Sequence, residues 1–277
     1  NMEEVPTVEE LNKEIQGLSA DLKKFKNAQP FKDTYIGPAM FTEGASVQLF
    51  LQLLAPNLSG GEYADRLGRK VLPSFLSVVD DPTITKVGDS KVYGNYKYDA
   101  EGVEAKPLNL IDNGILKTLL MTRRPIKEIP NSNGRARGSG LGGTSANISN
   151  LIIKSNSGKS YTELKQQLID ECKKQGLEFG VIFRENDSTF SSFSGGGSIL
   201  AYKVYVEDGR EELFRDISVM DLTVRELRNL LAAGNDSYTY NLLVNSSYNG
   251  DGTPASVTAP TILLDEVYLK KSKFNRE

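Results

Sequence analysis

The sequence predicts an α+β fold whose core is a mainly antiparallel, strongly twisted, barrel-like β-sheet with a few packed helices. Three observations lead there. Segments with a hydrophobic period of two outnumber those with a helical period. Strands and helices do not alternate regularly, which argues against a parallel-sheet architecture. Two alternating runs, Ile199 to Glu207 and Glu211 to Arg215, are joined through Asp208-Gly209, a favoured tight-turn pair. With 277 residues, 39% of them hydrophobic and 25% charged, the chain can bury a core without disulfides or metal.

The elements follow in order along the chain. Leu11, Ile15, Leu18, Leu22 and Phe25 recur at alternating spacings of four and three, so they share one helical face, and Thr7-Val8-Glu9-Glu10 reads as a capping box before them. The stripe is expected to pack on this chain's own core, although its heptad-like spacing also suits a partner helix. Val47 to Leu54 is apolar nearly all round and is stopped by Pro56, so a deeply buried helix is expected. Ser160-Tyr161-Thr162-Glu163 opens a helix that turns Leu164, Leu168 and Cys172 inward and ends at Gly176. Thr223-Val224-Arg225-Glu226 signals another, packing Leu227, Leu230 and Leu231 before Gly234. Between them, Val92 to Tyr98, Ile115 to Met121, Ile148 to Ile153, Phe179 to Phe183 and Ile262 to Leu269 read as strands rich in β-branched and aromatic residues.

Composition removes whole classes of function. The chain has no histidine, so Ser-His-Asp, Cys-His and His-Glu-x-x-His chemistries are excluded. A net charge of -3 disfavours nucleic-acid binding driven by overall charge. The lone Cys172 supplies neither an internal disulfide nor a cysteine-rich metal site and is read as a small core hydrophobe. No apolar run is long enough to span a bilayer, and no basic segment precedes an apolar one at the N-terminus, so no membrane contact is expected and the cytoplasm is the expected compartment. Because the chain starts at Asn1, an upstream part with its own signal is allowed for.

Two glycine-rich stretches, Gly138 to Gly143 and Gly195 to Gly197, read as cleft-lining loops or plain connectors. The first fits G-x-G-x-x-G, but the residues before it are not a buried strand, so a dinucleotide site is not expected. Asp80, Asp81, Asp99 and Glu101 are candidate acid-base carboxylates, although Asp-Asp-Pro-Thr and Asp-x-Glu-Gly are equally good turn chemistry.

An ordered set of segments then becomes specific: Tyr35-Ile36-Gly37-Pro38-Ala39-Met40-Phe41, Asp80-Asp81-Pro82-Thr83, Tyr98-Asp99-Ala100-Glu101-Gly102-Val103, Leu110 to Lys117, Asn131-Ser132-Asn133-Gly134 and Ala259 to Leu264. Together they resemble the C-terminal domain of the TldD/PmbA family, metallopeptidase-related proteins also called modulators of DNA gyrase. The resemblance implies an N-terminal helix over residues 1–28 and one family domain over 29–277, with the family's separate N-terminal domain outside this chain. Active members carry His-Glu-x-x-x-His on the helix after the Gly-Pro strand, two imidazoles holding zinc and the glutamate activating the bound water. Alignment on Leu58-Ser59-Gly60 puts those positions at Leu51, Gln52 and Pro56. The family's cysteine ligand falls near Ser246 to Tyr248, where this chain has none, and a further family histidine is replaced by Arg135 while Arg137 is retained.

The resemblance therefore implies a peptidase-like fold without zinc or other cofactor and without proteolytic activity. The expected partner is a homologous TldD/PmbA-type subunit, as hetero- or homodimer, with unfolded peptide as ligand. By the same analogy Arg135, Arg137, Gly140, Gly142 and Gly196 are candidates for lining the cleft. Two further readings stand beside it: peptide hydrolysis by reassigned carboxylates, and a homo-oligomeric scaffold that takes up extended peptide at strand edges near the hairpin.

Overall fold

A computed structural model describes residues 7–59, 63–126, 129–138, 143–184, 199–244 and 252–272. The chain opens with helix α1 (Val8–Asn27), strands β1 (Gln29–Pro30) and β2 (Thr34–Phe41), and helix α2 (Glu43–Leu53), which runs into a 3-10 turn at Ala55–Ser59. Strands β3 (Leu76–Asp80), β4 (Lys86–Val87), β5 (Ser90–Lys91), β6 (Leu108–Asp112), β7 (Ile115–Leu116), β8 (Ala136–Gly138), β9 (Thr144–Ala146) and β10 (Asn150–Ser155) follow. After helix α3 (Tyr161–Lys174) come β11 (Phe179–Phe183), β12 (Ile199–Tyr205) and β13 (Glu211–Met220), then β14 (Leu230–Ala233), β15 (Tyr238–Val244), β16 (Thr253–Ala259) and β17 (Ile262–Lys271).

Two large sheets result. In the seven-stranded sheet, β13 pairs with β12, β12 with β11, β11 with β2, β2 with β17, and β17 again with β13, so the ladder closes on itself; β1 and β14 are added outside this ring. Only the β11–β2 pair of the ring is parallel. Closure removes the free edges that an open sheet would present. It is achieved by bulges: the register of β12 on β13 slips between Ile199 and Ala201, and Asp216 on β13 takes a left-handed φ of 64°. Beyond that bend, Ile217 to Met220 pair with Lys271 to Tyr268.

Alternation along the ring strands sorts side chains onto two faces. Ala39, Phe41, Val181, Phe183, Ile262 and Leu264 join the main core, with Phe41 and Phe183 stacked at 4.6 Å between ring centroids. Met40, Ile182 and Leu263 point the other way, under Leu164, Leu168, Ile169 and Cys172 of α3. That helix forms as its sequence signals: the Ser160 hydroxyl accepts the Glu163 amide, the Glu163 carboxylate accepts the Ser160 amide, and Gly176 turns the chain with φ 69°. The second sheet, six-stranded, has the order β15-β16-β10-β3-β6-β7. Helix α2 packs on its β15–β16 end.

Four expectations are corrected. The Thr223 amide and hydroxyl do meet the Glu226 carboxylate at 2.7 and 2.5 Å, yet only a 3-10 turn, Glu226–Asn229, follows. Leu230–Ala233 is a strand because antiparallel pairing with β17 places Leu230 and Ala233 in the main core and Ala232 under α3, burial that a helix there would forgo. Val92 to Tyr98 runs extended without a ladder. Its amides are taken by the Ser256 hydroxyl, the Asn150 side chain and the Pro82 carbonyl. Ile115 to Met121 is a strand only at Ile115–Leu116; beyond it Asn133 holds the Met121 amide and the Leu119 carbonyl through its side chain. Finally, α1 does not lay its described stripe on this chain's core, for Leu11 is 42% and Ile15 60% exposed.

The β6–β7 hairpin turns through Asn113-Gly114, both left-handed at φ 47° and 79°, and a Cβ on Gly114 would run into the Leu72 carbonyl. Gly114→Ala is therefore expected to destabilise the protein by more than about 1 kcal/mol, read as a lower urea midpoint. An unchanged midpoint would mean that the turn relaxes freely.

Candidate functional site

Helix α2 carries Leu51 and Gln52, and the 3-10 turn after it carries Pro56, the positions onto which the resemblance maps the family's two metal ligands and its base, and local chemistry explains where they sit. The helix is anchored at its start by the Ser46 hydroxyl, which donates to the Pro260 carbonyl at 2.5 Å. Gly44 to Val47, Leu49 and Phe50 are buried, so the first turns face the core, while Gln48 and Leu51 to Leu53 are half-buried. Proline at 56 has no amide to continue the ladder, and the helix ends at Leu53 before the 3-10 turn. Leu51 and Pro56 both line a cavity of about 240 Å³, together with Ala55, Ser59, Ala146, Asn147, Ile148 and Val244. Gln52 is half-buried on the same helix and does not line it.

These residues do not fit zinc. Leu51 and Pro56 have no donor atom, and the polar side chains of the wall, Ser59 and Asn147, are neutral. Among the described residues no group of three or more Asp, Glu or Cys side chains is gathered to hold a metal. The segment Ser246 to Tyr248 lies outside the described residues, as do Gly140, Gly142 and Gly196.

The two arginines have structural surroundings. Arg135 is completely buried, and all five of its N–H donors are used: Nε on Asp80 Oδ2 at 2.5 Å, Nη1 on the Asn133 and Gly134 carbonyls, and Nη2 on the Asp80 and Lys106 carbonyls. It has no donor left for a cleft. Arg137, also buried, donates through Nη2 to the Pro254 carbonyl and lies over the Tyr96 ring, 4.3 Å from its centroid. Burial, only partly offset by Arg135 and Arg137, pushes the Tyr96 phenol up to about 12 while it donates to the Gly134 carbonyl at 2.7 Å.

Nor are the four carboxylates brought together as an acid-base pair. Asp80 accepts from Arg135 and from the Ser149 amide and hydroxyl, at 2.8 and 2.7 Å. Asp81 caps its own turn by accepting the Thr83 amide and hydroxyl. Asp99 accepts the Glu101 and Val103 amides on one oxygen and the Ala136 amide on the other. Glu101 accepts the Arg123 amide. Each closes a loop or a strand end, the turn-chemistry reading of these segments.

Sequence reasoning missed the opposite wall of the cavity, Ala146, Asn147, Ile148 and Val244. These are ordinary residue types whose proximity to α2 comes from the pairing of β10 and β15 with β16.

A family model for the PmbA/TldA metallopeptidase C-terminal domain matches residues 34–271. The chain belongs to this family. It is 39% identical over 93 residues to a metalloprotease of Methanocaldococcus jannaschii, covering 33% of this chain and 20% of that protein. It is 27% identical over 166 residues to a metalloprotease of Archaeoglobus fulgidus, covering 60% and 36%. In fold it is similar to the crystal structure of TldE from Thermococcus kodakarensis, with a TM-score of 0.59 and 17% identity over 89% of this chain and 52% of that one. The chain thus spans about a third or less of these metalloproteases and about half of TldE. Among the described residues no helix is long and apolar enough to cross a membrane.

Removing one partner of a buried ion pair strands the other charge, so Asp80→Ala is expected to cost about 3–5 kcal/mol in urea unfolding. A loss typical of a surface substitution would show that the pair is dispensable. The raised Tyr96 pKa gives a second test. A proton held more tightly in the folded state contributes stability at neutral pH that is lost as pH climbs from 10.0 towards about 12. Tyr96→Phe should flatten that alkaline decline in stability; an identical slope in the variant would contradict it.

Proposed function

We propose that this PmbA/TldD-family domain is a catalytically silent subunit that binds no zinc, associates with a related subunit, and contributes to holding unfolded peptide. One observation supports the reading: the positions onto which the resemblance maps the metal-binding motif are Leu51, Gln52 and Pro56, in a chain without any histidine. Neither leucine nor proline can donate to a metal, and glutamine lacks the basic oxygen that would take a proton from water. Loss of a single ligand can be made good by a neighbour, whereas loss of both helical ligands and the base removes the reaction. Leu51 and Pro56 line a cavity, which suits contact with a ligand, and Leu51 also packs against the main core. Association with a related subunit is inferred from the family, whose members include the metalloproteases and TldE described above.

Carboxylate chemistry is the weaker alternative, because Asp80, Asp81, Asp99 and Glu101 are each occupied by backbone or side-chain donors of their own loops. Elemental analysis of the purified protein after incubation with zinc should find far less than one ion per chain, and the protein alone should not cleave unfolded polypeptide. Stoichiometric zinc, or hydrolysis that survives removal of metal, would overturn the proposal. Affinity capture from the native source should retain a homologue carrying His-Glu-x-x-x-His; capture of this chain alone would reject the partner assignment.

A further inference from the structure

Helix α1 is the element that neither the fold nor the proposed function accounts for. It lies before the span matched by the family domain, which begins at residue 34. Over its 20 residues it extends about 30 Å. Each of its side chains that the structure describes is exposed, and these include Val8 at 76%, Leu11 at 42% and Ile15 at 60%. Its attachment is at the C-terminal end, where the Ala28 carbonyl accepts Arg215 Nε and the Phe31 amide donates to the Arg215 carbonyl. An isolated helix of this length, interrupted by Gly17, is marginal in water, and most helices owe their stability to burial of an apolar face.

We infer that α1 associates with α1 of a second copy of this chain as a parallel two-stranded coiled coil. The pattern itself selects the occupant. Val8, Ile15 and Leu22 take heptad position a, and Leu11, Leu18 and Phe25 take position d, an unbroken seam along the helix. Branched Val and Ile at a with Leu at d is the combination that favours two parallel strands over higher oligomers. Gly17 occupies position c, away from the seam. Flanking charges choose the direction. In a parallel pair each g position faces the next e position of the partner, giving Thr7 with Asn12, Glu14 with Ser19 and Asp21 with Lys26, so no like charges meet. In an end-aligned antiparallel pair g faces g, and Glu14 of each copy would meet Asp21 of the other, like charge against like. A parallel pair obeys a two-fold axis along the coil, so the association closes at two copies.

The experiment uses the whole chain. Sedimentation equilibrium should give a species of twice 30.4 kDa, and an Ile15→Glu, Leu18→Glu variant should dimerise at least about tenfold more weakly. The same variant should keep the near-UV spectrum and thermal transition of the β core. Mild oxidation of a Val8→Cys variant should cross-link two chains, since parallel strands bring equal a positions together, whereas antiparallel strands hold them nearly a helix length apart. Cys172 is buried and does not compete. A monomer at high micromolar concentration, a dimer unaffected by the double substitution, a dimer in which Val8→Cys stays uncross-linked, or capture of α1 by a different chain would each overturn the inference.

Discussion

The buried Asp80–Arg135 pair draws together segments that lie far apart in the chain. Asp80 ends β3 in the second sheet, and Arg135 lies just before β8, with Lys106, Asn133 and Ser149 contributing their own loops. They converge because a guanidinium taken out of water needs five acceptors and a buried carboxylate needs several donors, and only this arrangement of carbonyls, amides and one hydroxyl supplies both. Such a pair contributes modest net stability when complete but penalises every partial arrangement, so it selects one loop geometry out of many. Asn150, adjacent to Ser149, extends the network by holding Gly94, Asp81 and Ile84 through its side chain.

That network fixes the second wall of the cavity. Asn147 donates its amide to the Arg135 carbonyl, and Ala146 to Ile148 then face the end of α2. The other wall follows from the closed sheet, because β2 delivers the chain to α2 and β16 leads into β17 through Pro260, whose carbonyl holds Ser46. Leu51 and Pro56 thus face Ala146 to Ile148 across the cavity.

Segments with dense local signals were legible. The capping box and Gly176 bounded α3, Asp208-Gly209 set the β12–β13 hairpin, and Phe179 to Phe183 stood out by alternation. Strands β3, β6, β15 and β16 were not read as such from their own residues, because their pairing is decided by distant neighbours rather than by local period. The helix expected after Thr223 shows the same cause from the other side. Its start signal is real and its hydrogen bonds form, but Leu230–Ala233 gain more by joining β17 than a short helix could return.

The sequence by itself determined the α+β class, the absence of imidazole chemistry and, through an ordered series of short motifs, the family. Those are properties of composition, spacing and local backbone preference, and they need no knowledge of what lies opposite. Tertiary structure alone decided that Arg135 is a buried hub rather than a cleft residue, that four conspicuous carboxylates serve backbone amides, and that Leu51 and Pro56 border open space. A side chain's charge or hydropathy is written in its identity, whereas its partner is set by chain closure between residues tens of positions apart, and only folding brings those together.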